Sequence, residues 1–108
     1  MAPTRELCLQ ITDDLKDYSK YIKGLHVLAV YGGASIEPQI RALKKGVQVI
    51  VATPGRLVDL MERGVAKLGT VENVVLDEAD EMLNMGFSES IDTILAGVPA
   101  ERNTLLLR

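Results

Sequence analysis

Three carboxylates stand together in the segment Asp77-Glu78-Ala79-Asp80, directly after the apolar run Val74-Val75-Leu76. One interpretation is helix capping, because acidic side chains are favoured at the positive end of a helix dipole. The other is catalytic, since a strand-end Asp followed by Glu is what a nucleotide hydrolase uses to hold Mg²⁺ and to orient the attacking water. The position at the end of an apolar strand favours the catalytic interpretation for Asp77 and Glu78.

A second candidate is Thr53-Pro54-Gly55-Arg56. Thr53 suits an N-cap, the proline suits a first helical turn, and Gly55 would let a ligand approach the backbone. Unpaired N–H groups and the helix dipole would then face an anion, with Arg56 beside it. Plain capping explains this segment when it is taken alone, but Pro3-Thr4-Arg5 repeats the chemistry. Two such helix starts favour a track that binds phosphates.

The remaining polar signals are weaker. Gly32-Gly33 ends an apolar run and need only serve a turn, because it does not extend to the Gly-x-Gly-x-x-Gly fingerprint of dinucleotide sites. Cys8 is the only cysteine, which excludes an intrachain disulfide and a cysteine-based zinc cluster, and we expect a buried, inert thiol. The lone histidine, His26, falls in a strand pattern and is expected to be structural. The four aromatic residues are expected on packing stripes rather than on a base-stacking platform.

Short apolar runs alternate with amphipathic stretches along the whole chain. A first helix is predicted from Thr4 to near Gly24, with one buried stripe at spacings of three and four. Four strands are predicted at 27–31, 47–52, 74–76 and 104–107, and further helices at 38–45, at about 56–63, after 80 and after Gly86. This order indicates an α/β fold in which a parallel sheet of about four strands is covered by helices on both faces. The carboxyl ends of such strands form the ligand-facing edge, which collects the four polar segments.

Composition fits one small domain with a single core. The chain has 108 residues, 47% hydrophobic and 25% charged, with a net charge of −3. Residues 1–56 hold eight Lys/Arg against five Asp/Glu, whereas residues 57–108 hold four against ten. Nucleic acid would therefore be held by a local patch rather than by overall charge. No apolar run approaches the about 20 residues of a membrane span, and the N-terminus does not read as a secretory signal, so a cytoplasmic protein is expected.

Four segments follow one another along the chain: Pro3-Thr4-Arg5-Glu6-Leu7 with Gln10, Gly32-Gly33, Thr53-Pro54-Gly55-Arg56, and Asp77-Glu78-Ala79-Asp80. In order and spacing they resemble motifs Ia, GG, Ib and II of the DEAD-box ATP-dependent RNA helicases. The segment 81–87 is typical of bacterial members. The resemblance covers all 108 residues and implies a three-layer, RecA-like (P-loop NTPase-like) fold.

The resemblance also implies roles for particular residues. In the family this lobe binds ATP and Mg²⁺ and grips single-stranded or duplex RNA by its backbone without reading sequence, and the helicase couples ATP hydrolysis to local unwinding of RNA duplexes. By that analogy Asp77 would hold Mg²⁺ through water, Glu78 would orient the hydrolytic water, and Asp80 would help couple hydrolysis to RNA binding. The residues implied to line the RNA track are Thr4, Arg5, Gly32, Gly33, Thr53, Gly55 and Arg56.

Parts of the family pattern are missing. No glycine is followed by Lys, so the chain lacks a Gly-x-x-x-x-Gly-Lys-Thr phosphate loop. The Q motif, the strand that leads into Pro3, the Ser-Ala-Thr motif and the second lobe are absent as well. We therefore expect residues 1–108 to be a partial N-terminal helicase domain. Its longer helicase would use ATP and Mg²⁺, whereas this chain alone would bind neither and would be inactive.

Two other functions stay open at this point. The chain could be a non-catalytic RNA-binding module, which RNA affinity without ATPase activity would indicate. It could also be an unrelated doubly wound domain for a small phosphorylated ligand, which nucleotide binding without RNA binding would indicate. Because loss of the strand before Pro3 would leave sheet edges unpaired, self-association through those edges is also predicted. The RNA target and the cellular process are not encoded in any of these motifs.

Overall fold

A computed structural model describes residues 1–107, and Arg108 lies outside the described part. The helices are α1 (Arg5–Ser19), α2 (Glu37–Lys45), α3 (Pro54–Glu62), α4 (Ala79–Asn84) and α5 (Ser88–Ala96). The strands are β1 (Val27–Val30), β2 (Val49–Ala52), β3 (Asn73–Leu76) and β4 (Asn103–Leu106). The predicted order of helices and strands and the α/β class are confirmed. Gly46 ends α2 with φ 97°, a conformation that glycine adopts without steric cost.

The four strands form two parallel pairs rather than one continuous sheet. β1 pairs with β2, in register from Val27 opposite Val49 to Val30 opposite Ala52. β3 pairs with β4, from Asn73 opposite Asn103 onward. The sequence pattern predicted parallel strands correctly, but it predicted one sheet, and β2 and β3 are not hydrogen-bonded to each other in the described residues.

Met1 and Ala2 lie between the carboxyl ends of these two pairs. The Ala2 N–H donates to the Ala52 carbonyl at 2.9 Å, and the Met1 carbonyl accepts from the Asp77 N–H at 2.9 Å. The Met1 ammonium also donates to the Val75 carbonyl at 2.6 Å. Burial lowers the pKa of that ammonium below its usual value, since removal from water disfavours its charged form. Two residues thus align the ends of β2 and β3 at the edge where the polar segments converge.

One hydrophobic cluster joins the layers. Leu60 of α3 and Met82 of α4 are fully buried, and both pack with Val30 and Ala52 from the first strand pair. Val74 and Leu76 complete the cluster from β3, together with Ile91 and Ile94 of α5. The helices that start at the polar edge are therefore fixed by their apolar faces, and their N-termini are held in place by the core.

The first helix differs from its prediction in length and in buried face. It ends at Ser19, and Tyr18, Tyr21 and Ile22, which were expected on packing stripes, are 83%, 87% and 59% exposed. The residues that α1 buries are Cys8 and Thr12. A helix of this length spans about 22 Å whereas a four-residue strand spans about 13 Å, so the second half of α1 extends past the sheet.

The second strand pair is only partly covered: β3 is buried on one face, and β4 is exposed on both. Val74 and Leu76 are buried, but Val75 on the opposite face of β3 is 42% exposed, and Leu105 and Leu106 of β4 are 53% and 59% exposed. The expectation of cover on both faces is therefore wrong for this pair, because the residues that it contributes to the hydrophobic cluster, Val74 and Leu76, lie on one face of β3. In residues 1–107, none of the helices combines the length and the apolar character that a bilayer crossing would require.

Candidate nucleic-acid and nucleotide site

The parallel strands bring the four polar segments to one edge, as predicted. β1 leads into Tyr31–Ala34, β2 into Thr53–Arg56 and β3 into Asp77–Asp80, while residues 1–4 lie between the last two. The Thr53 N–H donates to the Val30 carbonyl at 3.0 Å, which joins the first two exits directly. Asp77 is joined to residue 1 by the hydrogen bond described above. The candidate RNA residues and the acidic segment are therefore parts of one surface.

Two helix N-termini open onto this edge. Thr4 is the N-cap of α1, and its hydroxyl accepts from the Leu7 N–H at 3.2 Å, as its sequence position predicts. Thr53 is the N-cap of α3 by backbone conformation, but its side chain makes no capping bond. Its Oγ1 lies 3.4 Å from the Gly32 nitrogen instead, so the predicted side-chain cap is wrong and Thr53 contacts the glycine loop. Within the described residues the amides of Gly55 and Arg56 have no intramolecular acceptor, as expected for a first helical turn.

The glycines at this edge leave open space for a ligand. Gly32, Gly33 and Gly55 are exposed, and a Cβ built on any of them meets no heavy atom within 4 Å. Gly33 has φ +79°, which a residue with a side chain adopts only with strain. No atom of the chain occupies the positions that side chains would take at these glycines, so a ligand can approach their backbone from outside.

The two arginines of this edge have different surroundings. Arg5 is exposed, and its guanidinium lies 5.1 Å from the centre of the Tyr31 ring, within cation–π distance. Arg56 is half-buried, and its Nη1 and Nη2 donate to Gln39 Oε1 and to the Ala34 carbonyl, each at 3.0 Å. The sequence predicts the same role for both arginines, next to a phosphate. In this structure only Arg5 directs its charge to solvent.

Sequence reasoning missed Gln39. This side chain is 6% exposed, and its Nε2 donates to the Tyr31 carbonyl at 3.2 Å while its Oε1 accepts from Arg56. The available signal was its spacing, because Gln39 precedes Leu43 by four residues and so shares the inward face of α2. A glutamine on a buried helix face needs hydrogen-bond partners.

The acidic segment follows β3 in a strained turn. Asp77 is half-buried, and its Oδ1 accepts from the Glu78 N–H at 2.9 Å. Glu78 has φ 49° and ψ 51°, a left-handed conformation that costs about 1–2 kcal/mol in a residue with a side chain. Glu78, Asp80 and Thr4 line the same open depression of about 420 Å³. Two of the three candidate catalytic carboxylates, those of Glu78 and Asp80, are thus neighbours of the start of α1.

The donor set fits Mg²⁺ only in part. Asp77 keeps one carboxylate oxygen free of the Glu78 bond, and Mg²⁺ is commonly held by one or two carboxylates while it retains several waters. No group of three potential metal-ligating side chains converges in residues 1–107. The sequence also supplies no lysine-containing phosphate loop for a nucleotide. Asp77 could therefore contribute one ligand, but these residues do not form a complete nucleotide site.

Cys8 and His26 lie outside the candidate site. Cys8 is fully buried, with its thiol 3.1 Å from the Val51 carbonyl, and this burial raises the pKa of Cys8 to about 11. These surroundings support the expectation that the Cys8 thiol is inert. His26 is exposed rather than buried in a strand, because β1 begins one residue later, at Val27. Its backbone N–H donates to Gln48 Oε1 at 2.7 Å.

Comparison with known proteins gives consistent results. The family model described as DEAD/DEAH box helicase matches residues 1–107. The ATP-dependent RNA helicase CshA of Listeria monocytogenes is 58% identical over 106 residues, which cover 98% of this chain and 20% of that protein. The ATP-dependent RNA helicase DeaD of Buchnera aphidicola is 52% identical over 98% of this chain and 18% of its own length. The crystal structure of the yeast DEAD-box splicing factor Prp28 superimposes with a TM-score of 0.90 at 34% identity, over 97% of this chain and 26% of that one. The chain spans about a fifth of the length of the curated relatives it matches.

Proposed function

This chain belongs to the DEAD/DEAH box helicase family, and from that premise we propose that it is the RNA-gripping part of the N-terminal lobe of an ATP-dependent RNA helicase. The observation that carries the proposal is the convergence of two helix N-termini and a glycine loop on one sheet edge. Relatives that match the whole chain at about half identity carry the name ATP-dependent RNA helicase. They also make an unrelated phospholigand domain untenable.

The proposed RNA track is built mainly from backbone. Amides at a helix N-terminus donate to phosphate oxygens, and such contacts give affinity without reading the base. Exposed Arg5 adds one charge beside the track. The residues assigned to the track are Thr4, Arg5, Gly32, Gly33, Thr53, Gly55 and Arg56, and the guanidinium of Arg56 is engaged with Gln39 and the Ala34 carbonyl. Because contacts of this kind are made with the phosphate backbone, we propose binding of single-stranded or duplex RNA without sequence preference.

The acidic segment is assigned to nucleotide hydrolysis in the longer helicase. There Asp77 would hold Mg²⁺ through water, Glu78 would orient the hydrolytic water, and Asp80 would help couple hydrolysis to RNA binding. When bound, ATP with Mg²⁺ would supply the phosphoanhydride bond whose hydrolysis releases free energy. Glu78 and Asp80 line the same depression as Thr4, so a movement of either carboxylate would change the surroundings of Thr4 at the start of the RNA track. We place the protein in the cytoplasm, which accords with a single buried, unpaired cysteine.

The test is binding of the chain to fluorescein-labelled single-stranded RNA, followed by anisotropy at several salt concentrations. We expect U20 and A20 oligomers to bind alike, with affinity that falls as salt rises. Arg5→Gln should lower the slope of log affinity against log salt by about 0.7, the value for one single-strand phosphate contact. Lys20→Gln is the matched control, because Lys20 is exposed and stacks on Tyr21 beyond the end of α1. Binding that ignores salt, or that strongly prefers one base, would contradict the assignment.

One second function has an observation in its favour. The first-turn amides of Gly55 and Arg56 and the exposed side chain of Arg5 can contact RNA without any part of the acidic segment, which is compatible with a module that binds RNA without hydrolysing ATP. RNA affinity with no ATPase activity in the longest natural form of the protein would identify this alternative. RNA-stimulated hydrolysis in that form would identify the helicase.

A further inference from the structure

We propose that Gln39 is a positioning residue that, together with Arg56, clasps the loop Tyr31–Ala34 so that Gly32 and Gly33 present their backbone to RNA. The inference rests on the RNA track proposed above and assigns a role to a side chain outside it. It also changes the role of Arg56 from phosphate ligand to second member of the clasp.

The clasp holds the glycine pair from both sides. Gln39 Nε2 donates to the carbonyl of Tyr31, the residue before the pair, at 3.2 Å. Arg56 Nη2 donates to the carbonyl of Ala34, the residue after the pair, at 3.0 Å. Arg56 Nη1 links the two side chains by donating to Gln39 Oε1 at 3.0 Å. The loop is thereby fastened to α2 by one side chain and to α3 by the other.

The chemistry of both side chains matches this use. The amide of Gln39 has one donor end on a carbonyl and one acceptor end on a guanidinium, so neither end could be reversed without placing like groups together. Gln39 is 6% exposed, and a buried amide that lost either partner would be left unsatisfied. Arginine presents N–H groups on two separate nitrogens of a rigid plane to the two acceptors, whereas the ammonium of lysine has a single nitrogen on a flexible stem.

The loop needs these hydrogen bonds because two of its four residues are glycine. Two adjacent glycines lose more conformational freedom on ordering than any other pair, and Gly33 must also hold φ +79°. The positions that their side chains would take are empty, since a Cβ on either would meet nothing within 4 Å. Two further contacts reach the loop from outside, the long bond from the Gly32 N–H to Thr53 Oγ1 at 3.4 Å and the Arg5 guanidinium 5.1 Å from the centre of the Tyr31 ring. Neither of them holds a carbonyl of the loop, so we expect its order to depend on Gln39 and Arg56.

The experiment compares variants of the full chain by two measurements. Gln39→Met keeps size and charge but removes both bonds, and Arg56→Lys keeps charge but removes the fork. We expect each to lower RNA affinity about tenfold, the loss of roughly one well-made hydrogen bond, with an unchanged salt slope. Order parameters of the Gly32, Gly33 and Ala34 amides, measured by NMR without RNA, should fall from about 0.85 to below about 0.6. The double variant should be no weaker than the weaker single variant, because the two side chains act as one unit.

Arg63→Gln is the matched control. It removes an arginine at the other end of α3, where the side chain pairs with Asp59 at 3.0 Å on an exposed surface. It should change neither the affinity nor the loop. Gln39→Glu keeps the acceptor for Arg56 and loses the donor to Tyr31, so an intermediate loss is expected, and it serves as the second variant if Gln39→Met unfolds.

The outcomes separate this inference from the proposed function. If Gln39→Met binds RNA like the original chain, or if its loop stays ordered, the clasp is refuted. If Arg56→Gln lowers the salt slope by about 0.7 while the loop stays ordered, Arg56 is a phosphate ligand and the clasp is refuted. If the original chain binds no RNA at any salt, the RNA track itself is wrong. The order parameters then still decide whether Gln39 and Arg56 order the loop.

Discussion

Replacement of Gly55 by alanine should raise stability and lower RNA affinity. Gly55 is the second residue of α3, it does not have a positive φ, and a Cβ built there meets no heavy atom within 4 Å. Alanine is favoured over glycine by up to about 1 kcal/mol in a helix interior, and we take about 0.5 kcal/mol for the first turn. At about 2.1 cal/mol/K per residue the unfolding entropy of a chain this size is about 230 cal/mol/K, so the melting temperature should rise by about 2 °C.

RNA binding should change in the opposite direction, because the added methyl group fills the space through which a phosphate reaches the first-turn amides. Loss of one hydrogen bond to a charged group costs about 1.5 kcal/mol, which is about tenfold in affinity. Urea unfolding measures the stability, and anisotropy with labelled U20 measures the affinity. Gly69→Ala is the control, since Gly69 is also open to solvent but precedes β3 at the opposite end of the strand. A stabilised Gly55→Ala chain that binds RNA normally would refute backbone approach at this position, and a destabilised one would refute the account of α3.

Three further predictions concern catalysis, the buried thiol and assembly. The chain should show no RNA-stimulated phosphate release from ATP, because it has no phosphate loop; turnover that Glu78→Gln abolishes would contradict this. Cys8 should resist thiol reagents at pH 8 until urea unfolds the chain. Because burial raises its pKa from 9.0 to about 11, the unfolded chain loses this proton first, so the free energy of unfolding should fall between about pH 9 and pH 11, and the fall should be smaller in Cys8→Ala. In sedimentation the average mass should rise above 11.8 kDa with concentration if unpaired edges of β2 and β3 associate, whereas a monomer at every concentration would exclude this.

The positions of the strands and of the candidate site follow from local sequence. Short apolar runs such as Val49–Ala52 are predicted within one or two residues of their observed bounds, and the predicted sheet direction places every strand exit on one edge. That is enough to bring Thr4, Thr53 and Asp77 together without knowledge of any side-chain contact. The division of the strands into two pairs was not predictable from periodicity, because periodicity does not say which strands are neighbours.

Side-chain partners were predicted poorly, because they depend on tertiary distances. Thr53 has the sequence of a side-chain cap, yet its hydroxyl contacts Gly32, which is 21 residues earlier in the chain. The predicted stripe of α1 contains Leu7, Ile11 and Leu15. Cys8 and Thr12 are buried instead, because the sulfur fits against the Val51 carbonyl and the threonine hydroxyl donates to the Cys8 carbonyl at 2.8 Å. Nothing in the sequence indicates the left-handed conformation of Glu78.

Arg5 and Arg56 illustrate how one local pattern leads to two environments. Each follows a threonine N-cap, but Arg5 is the first residue of its helix and Arg56 is the third. Two residues correspond to a rotation of about 200° around a helix axis, so the two side chains leave their helices on nearly opposite sides. The first position leaves Arg5 exposed beside Tyr31, and the third directs Arg56 toward Gln39 and the carbonyl of Ala34. The offset from the N-cap, rather than the residue type, therefore separates an arginine that is available to a phosphate from one that holds a loop.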